Sequence, residues 1–161
     1  MTTASMRIAA EPGTTLIETE RVVNGPRDLV FRAFTEPGLL AQWLGPRRLT
    51  MRVDAYDVRH GGAWRYVHVD TDGTEYGFRG VFHGDPAPDR IVQTFEFEGA
   101  PGHVALDTLL LEDLGGGRTL VRTISAYQAT EARDAMLENG MAGGMEEGYQ
   151  QLDDLLARLG A

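Results

Sequence analysis

The stretch Gly140–Gly160 reads GMAGGMEEGYQQLDDLLARLG. Its second half has the spacing of an amphipathic helix: Leu152, Leu156 and Leu159 recur on one face. Its first half places glycines at 140, 143, 144 and 148. A glycine inside a helix costs roughly 0.8–1 kcal/mol relative to alanine. Gly140, Gly144 and Gly148 fall at i, i+4 and i+8, which puts them on one stripe. Met141, Met145 and Tyr149 form the adjacent stripe. The helix is therefore poor in side-chain volume above and core-like below. Two explanations stand: the glycines open space for a ligand, with the Met pair as an adaptable wall, or they allow close approach to a strand or loop.

Upstream, LIETERVV (16–23) reads as a strand. Two short helices follow within 24–46. Asn24 and Pro26 suit the first helix start, Thr35-Glu36-Pro37 separates the two, and Gly45-Pro46 ends the second. From 49 to 127 the pattern becomes strands at 49–58, 63–69, 75–83, 90–97, 103–113 and 118–127, with short Gly-, Asp- and Pro-rich separators. Segment 128–139 is polar and reads as a loop with some helical turns. The order is strand, two helices, six strands, long helix. It predicts an α+β fold in which a curved, antiparallel, seven-stranded sheet is covered on one face by the last helix. Residues 1–13 show little pattern and read as a flexible N-terminal tail before a single domain over 14–160.

Composition narrows the function. The chain has 161 residues, no cysteine and a formal net charge of −9. A disulfide framework and a thiol nucleophile are excluded, and a cytoplasmic location is expected. The charge disfavours nucleic acid, and no apolar run approaches the ~20 residues of a membrane span, so no membrane insertion is expected. The histidines at 60, 68, 83 and 103 lack a second ligand at i+2 or i+4, so no metal is expected. The glycines at 115–117 lack the Lys-Ser/Thr of a phosphate loop, and no G-x-S-x-G elbow exists. No general base stands out, so no catalytic residue is assigned and no cofactor is expected.

FTEPGLLAQWLGP (34–46), DVRHGGAWRY (57–66), DGTEYGFRGVF (72–82), PDRIVQTFEF (88–97), LGGGRTLVRT (114–123) and GGMEEGYQQLDDLL (143–156) together resemble the START-like superfamily, also called SRPBCC or helix-grip. Within it the chain is similar to the branch of the activator of the heat-shock-protein-90 ATPase, over about residues 15–159. The resemblance implies a deep apolar cavity between sheet and C-terminal helix. It also implies that Trp43 recurs at its position, as a packing anchor.

Strand parity supplies the candidate wall. Trp64, Tyr66 and His68 share one face, Tyr76, Phe78 and Phe82 another, and Gln93, Phe95 and Phe97 a third. If those faces are concave, His68, Gln93 and Tyr66 are the polar groups inside; if convex, Arg65, Arg79 and Thr94 replace them. The candidate ligand pocket is thus Trp64, Tyr66, His68, Phe78, Gln93, Phe95, Phe97, Met141, Gly144, Met145, Gly148 and Tyr149. The acidic residues Glu146, Glu147, Asp153 and Asp154 read as a solvated outer face.

Three functions are expected in order. The first is non-enzymatic binding of a hydrophobic or aromatic small molecule. The second is a cyclase or aromatase acting on a polyketide-like chain. The third is a chaperone-associated protein-interaction module, weakened because the second domain of the eukaryotic activators has no counterpart here. A protein partner and a homodimer are left open.

Overall fold

The structure, a computed structural model, describes residues 5–160. In chain order its elements are β1 (Arg7–Ala9), β2 (Leu16–Val23), α1 (Arg27–Thr35), α2 (Pro37–Leu40), β3 (Thr50–Tyr56), β4 (Ala63–Val69), β5 (Glu75–Val81), β6 (Arg90–Phe97), β7 (Val104–Gly115), β8 (Arg118–Ala126), α3 (Thr130–Glu138) and α4 (Met141–Leu159). The strands form one antiparallel sheet in the order β1-β2-β8-β7-β6-β5-β4-β3. The α+β helix-grip class is as expected.

Three details differ from the sequence reading. The sheet has eight strands, not seven, because Arg7–Ala9 pairs with Glu18–Glu20 inside the segment read as a tail. Three residues are too few to show a period of two, so only pairing reveals this strand. Residues 1–4 of that segment lie outside the described residues. Segment 128–139 contains a nine-residue helix, α3, whose polar surface hid its periodicity. Asn24 does not cap α1: Pro26 occupies the N-cap position, and the Asn24 N–H donates to Asp153 Oδ1 at 2.8 Å.

The ladder is shortest where β5 meets β6. Their ladder holds at Phe78↔Phe97 and Arg79↔Glu96, then lapses until Phe82 bridges Gln93. Between these points the Val81 N–H donates to the Thr94 hydroxyl at 2.9 Å.

The core fills the lower half of this grip. Leu152, Leu155 and Leu156 of α4 are buried against Val23, Val30, Leu111 and Val121. Trp43 sits where the second short helix ends, its indole N–H donating to the Ala33 carbonyl at 2.9 Å. Its ring packs edge-on to Phe34 (4.8 Å) and stacks on Tyr149 (6.2 Å). Among the described residues, no helix is long and apolar enough to cross a membrane.

Candidate functional site

Above the leucines the grip is hollow. A cavity of about 740 Å³ lies between the concave sheet face and the upper half of α4. Parity is now decided: Tyr66, His68, Phe78, Gln93 and Phe95 all line it. Arg65 and Arg79 point to the convex side, where they pair with Glu98 at 2.7 Å and Glu96 at 2.9 Å. Met141, Gly144, Met145, Gly148 and Tyr149 form the wall contributed by α4.

Two of the expected wall residues lie elsewhere. Trp64 is 1% exposed and sits behind the wall, stacked on Tyr66 at 5.0 Å. Gly80 makes room for it: a Cβ there would lie 2.6 Å from the Trp64 indole nitrogen. Phe97 packs on Phe78 at 5.2 Å and on Tyr76 at 6.4 Å, outside the lining. Both have inward parity, but Trp64 is packed into the core cluster and Phe97 against Phe78 and Tyr76, so neither lines the hollow.

The glycine stripe divides by role. Gly140 precedes α4 in the left-handed region (φ 77), as the link from α3. Gly148 is a close approach: a Cβ there would stand 3.2 Å from Gly45 N and 3.3 Å from the Trp43 carbonyl. Gln151 ties the same loop down, donating to the carbonyls of Trp43 (3.2 Å) and Gly45 (2.9 Å). At Gly144 the nearest atom to a Cβ is Pro46 Cδ at 3.7 Å, so there the missing side chain leaves cavity space.

The charged face of α4 needs correction. Glu146 and Asp153 are not simply solvated; both pair with Arg21 of β2, whose side chain is fully buried. Glu147 accepts a hydrogen bond from Arg47 N at 3.0 Å. Asp154 is exposed.

Polar groups punctuate the apolar wall. His68 is 6% exposed, packed edge-on to Tyr66 and Phe78, and its Nδ1 has no hydrogen-bond partner. Burial pushes its pKa below the usual histidine range, favouring the neutral ring. Asp107 of β7 also lines the cavity. Burial raises its carboxyl to about 6, against the opposing pull of a Ser125 hydrogen bond. Tyr127 and Tyr149 are pushed up to about 12 by burial, and Tyr56 and Tyr66 also rise for that reason. All four phenols stay protonated at neutral pH. The Tyr56 hydroxyl donates to the Phe34 carbonyl at 2.6 Å.

Asp107, Ser125, Tyr127, Thr19 and Thr123 were missed as wall residues. The signal was present in VALDTLLLED. Asp107 has the parity of Ala105, Leu109 and Leu111, all buried, so an acid stands at an inward position of an apolar strand. Ser125 and Tyr127 hold the matching inward parity beside Val121. Among the described residues, no three His, Asp or Glu side chains gather as a metal site would require.

Similarity to known proteins agrees with this architecture. A structure from Rhodobacter sphaeroides superposes with a TM-score of 0.87 at 31% identity, covering 96% of this chain and 99% of that one. A structure from Arthrobacter aurescens gives 0.85 at 25% identity, over 94% and 91%. One from Mycobacterium smegmatis, at 19% identity, shares the fold with a TM-score of 0.84 over 96% and 97%. Among proteins with curated descriptions, none matches this chain. Residues 24–157 match the family model described as activator of Hsp90 ATPase homolog 1-like protein, and the chain belongs to that family.

Proposed function

We propose that this protein binds a hydrophobic, ring-bearing small molecule in the cavity between the concave sheet face and α4. The observation that carries this reading is the hollow itself. About 740 Å³ lined by aromatic, aliphatic and methionine side chains with a few polar groups falls within the range of ~300–1,000 Å³ common to ligand pockets. Packing alone would fill such a volume, since an empty cavity costs stability. Binding draws on apolar burial, roughly 25 cal/mol per Å² before ordering costs.

The test is thermal unfolding against a panel of fatty acids, sterols, flavonoids and aromatic polyketides. A ligand present at about 100 times its Kd adds about 2.7 kcal/mol, a shift of several degrees for a domain this size. Met145→Trp fills the hollow and abolishes the shift while the fold survives. A flat response across the panel from a folded protein overturns the reading.

A second reading, proton-transfer catalysis of the cyclase or aromatase kind, is favoured by Asp107. A carboxyl raised to about 6 inside a cavity is poised to exchange a proton near neutral pH. Turnover of a model polyketide that is lost in Asp107→Asn, with binding retained, would establish it. Binding without turnover leaves the first reading standing.

A further inference from the structure

The sheet-side wall of the cavity carries an ordered polar strip. Gln93 of β6 is paired directly with Asp107 of β7, and Asp107 with Ser125 of β8. Directly opposed residues of antiparallel strands project to the same face, about 5 Å apart. All three line the cavity, so the strip runs for about 10 Å across an otherwise apolar surface. Tyr127, two residues beyond Ser125 and on the same face, also lines the cavity.

The strip has an acid and no cation to match it. Among the described residues lining the cavity, Arg48 is the one permanent cation. It stands on the loop after α2 with its side chain 64% exposed and its Nε 3.7 Å from Asp70. The other titratable groups facing the cavity are Tyr56 of β3, Tyr66 and His68 of β4, Tyr127 after β8, and Glu147 and Tyr149 of α4. Burial keeps the four phenols protonated and favours neutral His68. Glu147 adds negative charge on the helix side. Nothing at the strip compensates a second anion beside Asp107.

Resting on the binding reading above, we propose that the Gln93–Asp107–Ser125 strip is the specificity element of the cavity. It takes neutral ring-bearing ligands that present a hydroxyl donor, and it rejects equally apolar ligands that carry a carboxylate. An ionised aspartate only accepts hydrogen bonds, so it matches a hydroxyl proton. The Gln93 amide can then donate to the ligand oxygen, while the Ser125 hydroxyl donates to Asp107 and holds its carboxylate in place. A carboxylate has no proton to give, and at low local dielectric two like charges repel strongly.

Three naphthalenes of matched shape test this: 2-naphthol, 2-methoxynaphthalene and 2-naphthoate, titrated by calorimetry and thermal unfolding. At about pH 8, 2-naphthol binds at least about tenfold more tightly than 2-naphthoate, an effect of the size expected for a buried polar mismatch. Asp107→Asn narrows that preference to about threefold or less. Wild-type protein at about pH 5 provides the same contrast without a substitution, because Asp107 is then mostly protonated while a free carboxylate is still mostly ionised. Equal binding of 2-naphthol and 2-naphthoate at the higher pH overturns the proposal. So does a preference that persists both in Asp107→Asn and at the lower pH. If 2-methoxynaphthalene binds and no preference appears, only the strip's role falls. If none of the three binds, the strip proposal falls, and the cavity reading is decided separately by the wider ligand panel.

Discussion

Arg21 of β2 and Asp153 of α4 meet across the core, Nη1 to Oδ2, at 2.6 Å. The Arg21 side chain is fully buried, with Glu146 as its second carboxylate at 3.2 Å and the Tyr149 ring 5.8 Å from its Cζ. Removing one partner of a buried pair leaves an uncompensated charge, whereas replacing both with apolar groups is often tolerated. Asp153→Ala leaves Arg21 with Glu146 alone and should therefore cost about 2–3 kcal/mol in urea unfolding. Arg21→Met combined with Asp153→Leu should cost less than that single change. A single change that alters stability by under ~0.5 kcal/mol, as at an ordinary surface site, would remove this pair from the forces holding α4.

Three glycines of α4 should respond differently to alanine. A Cβ added at Gly143 would have no heavy atom within 4 Å, so Gly143→Ala should stabilise the protein by roughly 0.4–1 kcal/mol. Gly144→Ala meets only Pro46 at 3.7 Å and should stabilise similarly while weakening ligand uptake. Gly148→Ala pushes against the backbone of Trp43 and Gly45, which Gln151 holds in place. It should destabilise by about 1 kcal/mol or more. Melting curves of the three variants, with and without ligand, separate the roles.

Asp107 and His68 should give opposed pH dependences. Asp107 ionises near 3.8 when unfolded and near 6 when folded. Between these values the folded state holds more protons, so this group makes stability fall as pH rises from about 4 to 6. His68 is lowered from 6.5 on folding, so the unfolded state binds more protons, and its contribution is lost as pH drops below about 6.5. Asp107→Asn should stabilise the ligand-free protein at neutral pH by on the order of 1–2 kcal/mol. His68→Gln should flatten the loss on the acid side. Urea titrations at several pH values read both slopes, and identical pH profiles for wild type and Asp107→Asn would refute the raised carboxyl.

Trp43→Phe should cost more than its lost area. It removes the 2.9 Å hydrogen bond to the Ala33 carbonyl in a buried setting, a loss of about 1–3 kcal/mol. Trp43→Leu should cost more again, because the contacts with Phe34 and Tyr149 go as well. Equal stability of Trp43→Phe and wild type in urea would show the carbonyl finds another partner.

Long-period patterns made most of the fold legible in the sequence. The leucine face of α4, the two short helices and the alternating strands each span enough residues to show their period. β1 is too short for that, and α3 too polar. Glu146 and Asp153 escape a local reading for a different reason: their partner Arg21 lies 125 and 132 residues away in sequence. A helical wheel treats charge as solvated, and no local rule supplies a buried arginine. In the cavity, parity groups Tyr66, His68, Gln93 and Phe95 on shared faces, but which face is concave is read only from the folded sheet. Trp64 and Phe97 share that parity and still lie off the wall, since alternation gives a face but not what packs against it. Asp107 stays hidden when aromatic residues alone mark the wall; it stands out only as the acid at an inward position of an apolar strand.

The division of α4 bears on ligand choice. Its lower turns, with Leu152, Leu155 and Leu156, are locked into the core, while Met141, Gly144 and Met145 border open space. Substitutions among the upper residues reshape the hollow without disturbing the leucine packing below. Under the binding proposal, changes in a single turn and a half of helix would alter which ligand fits while leaving the fold's leucine core intact.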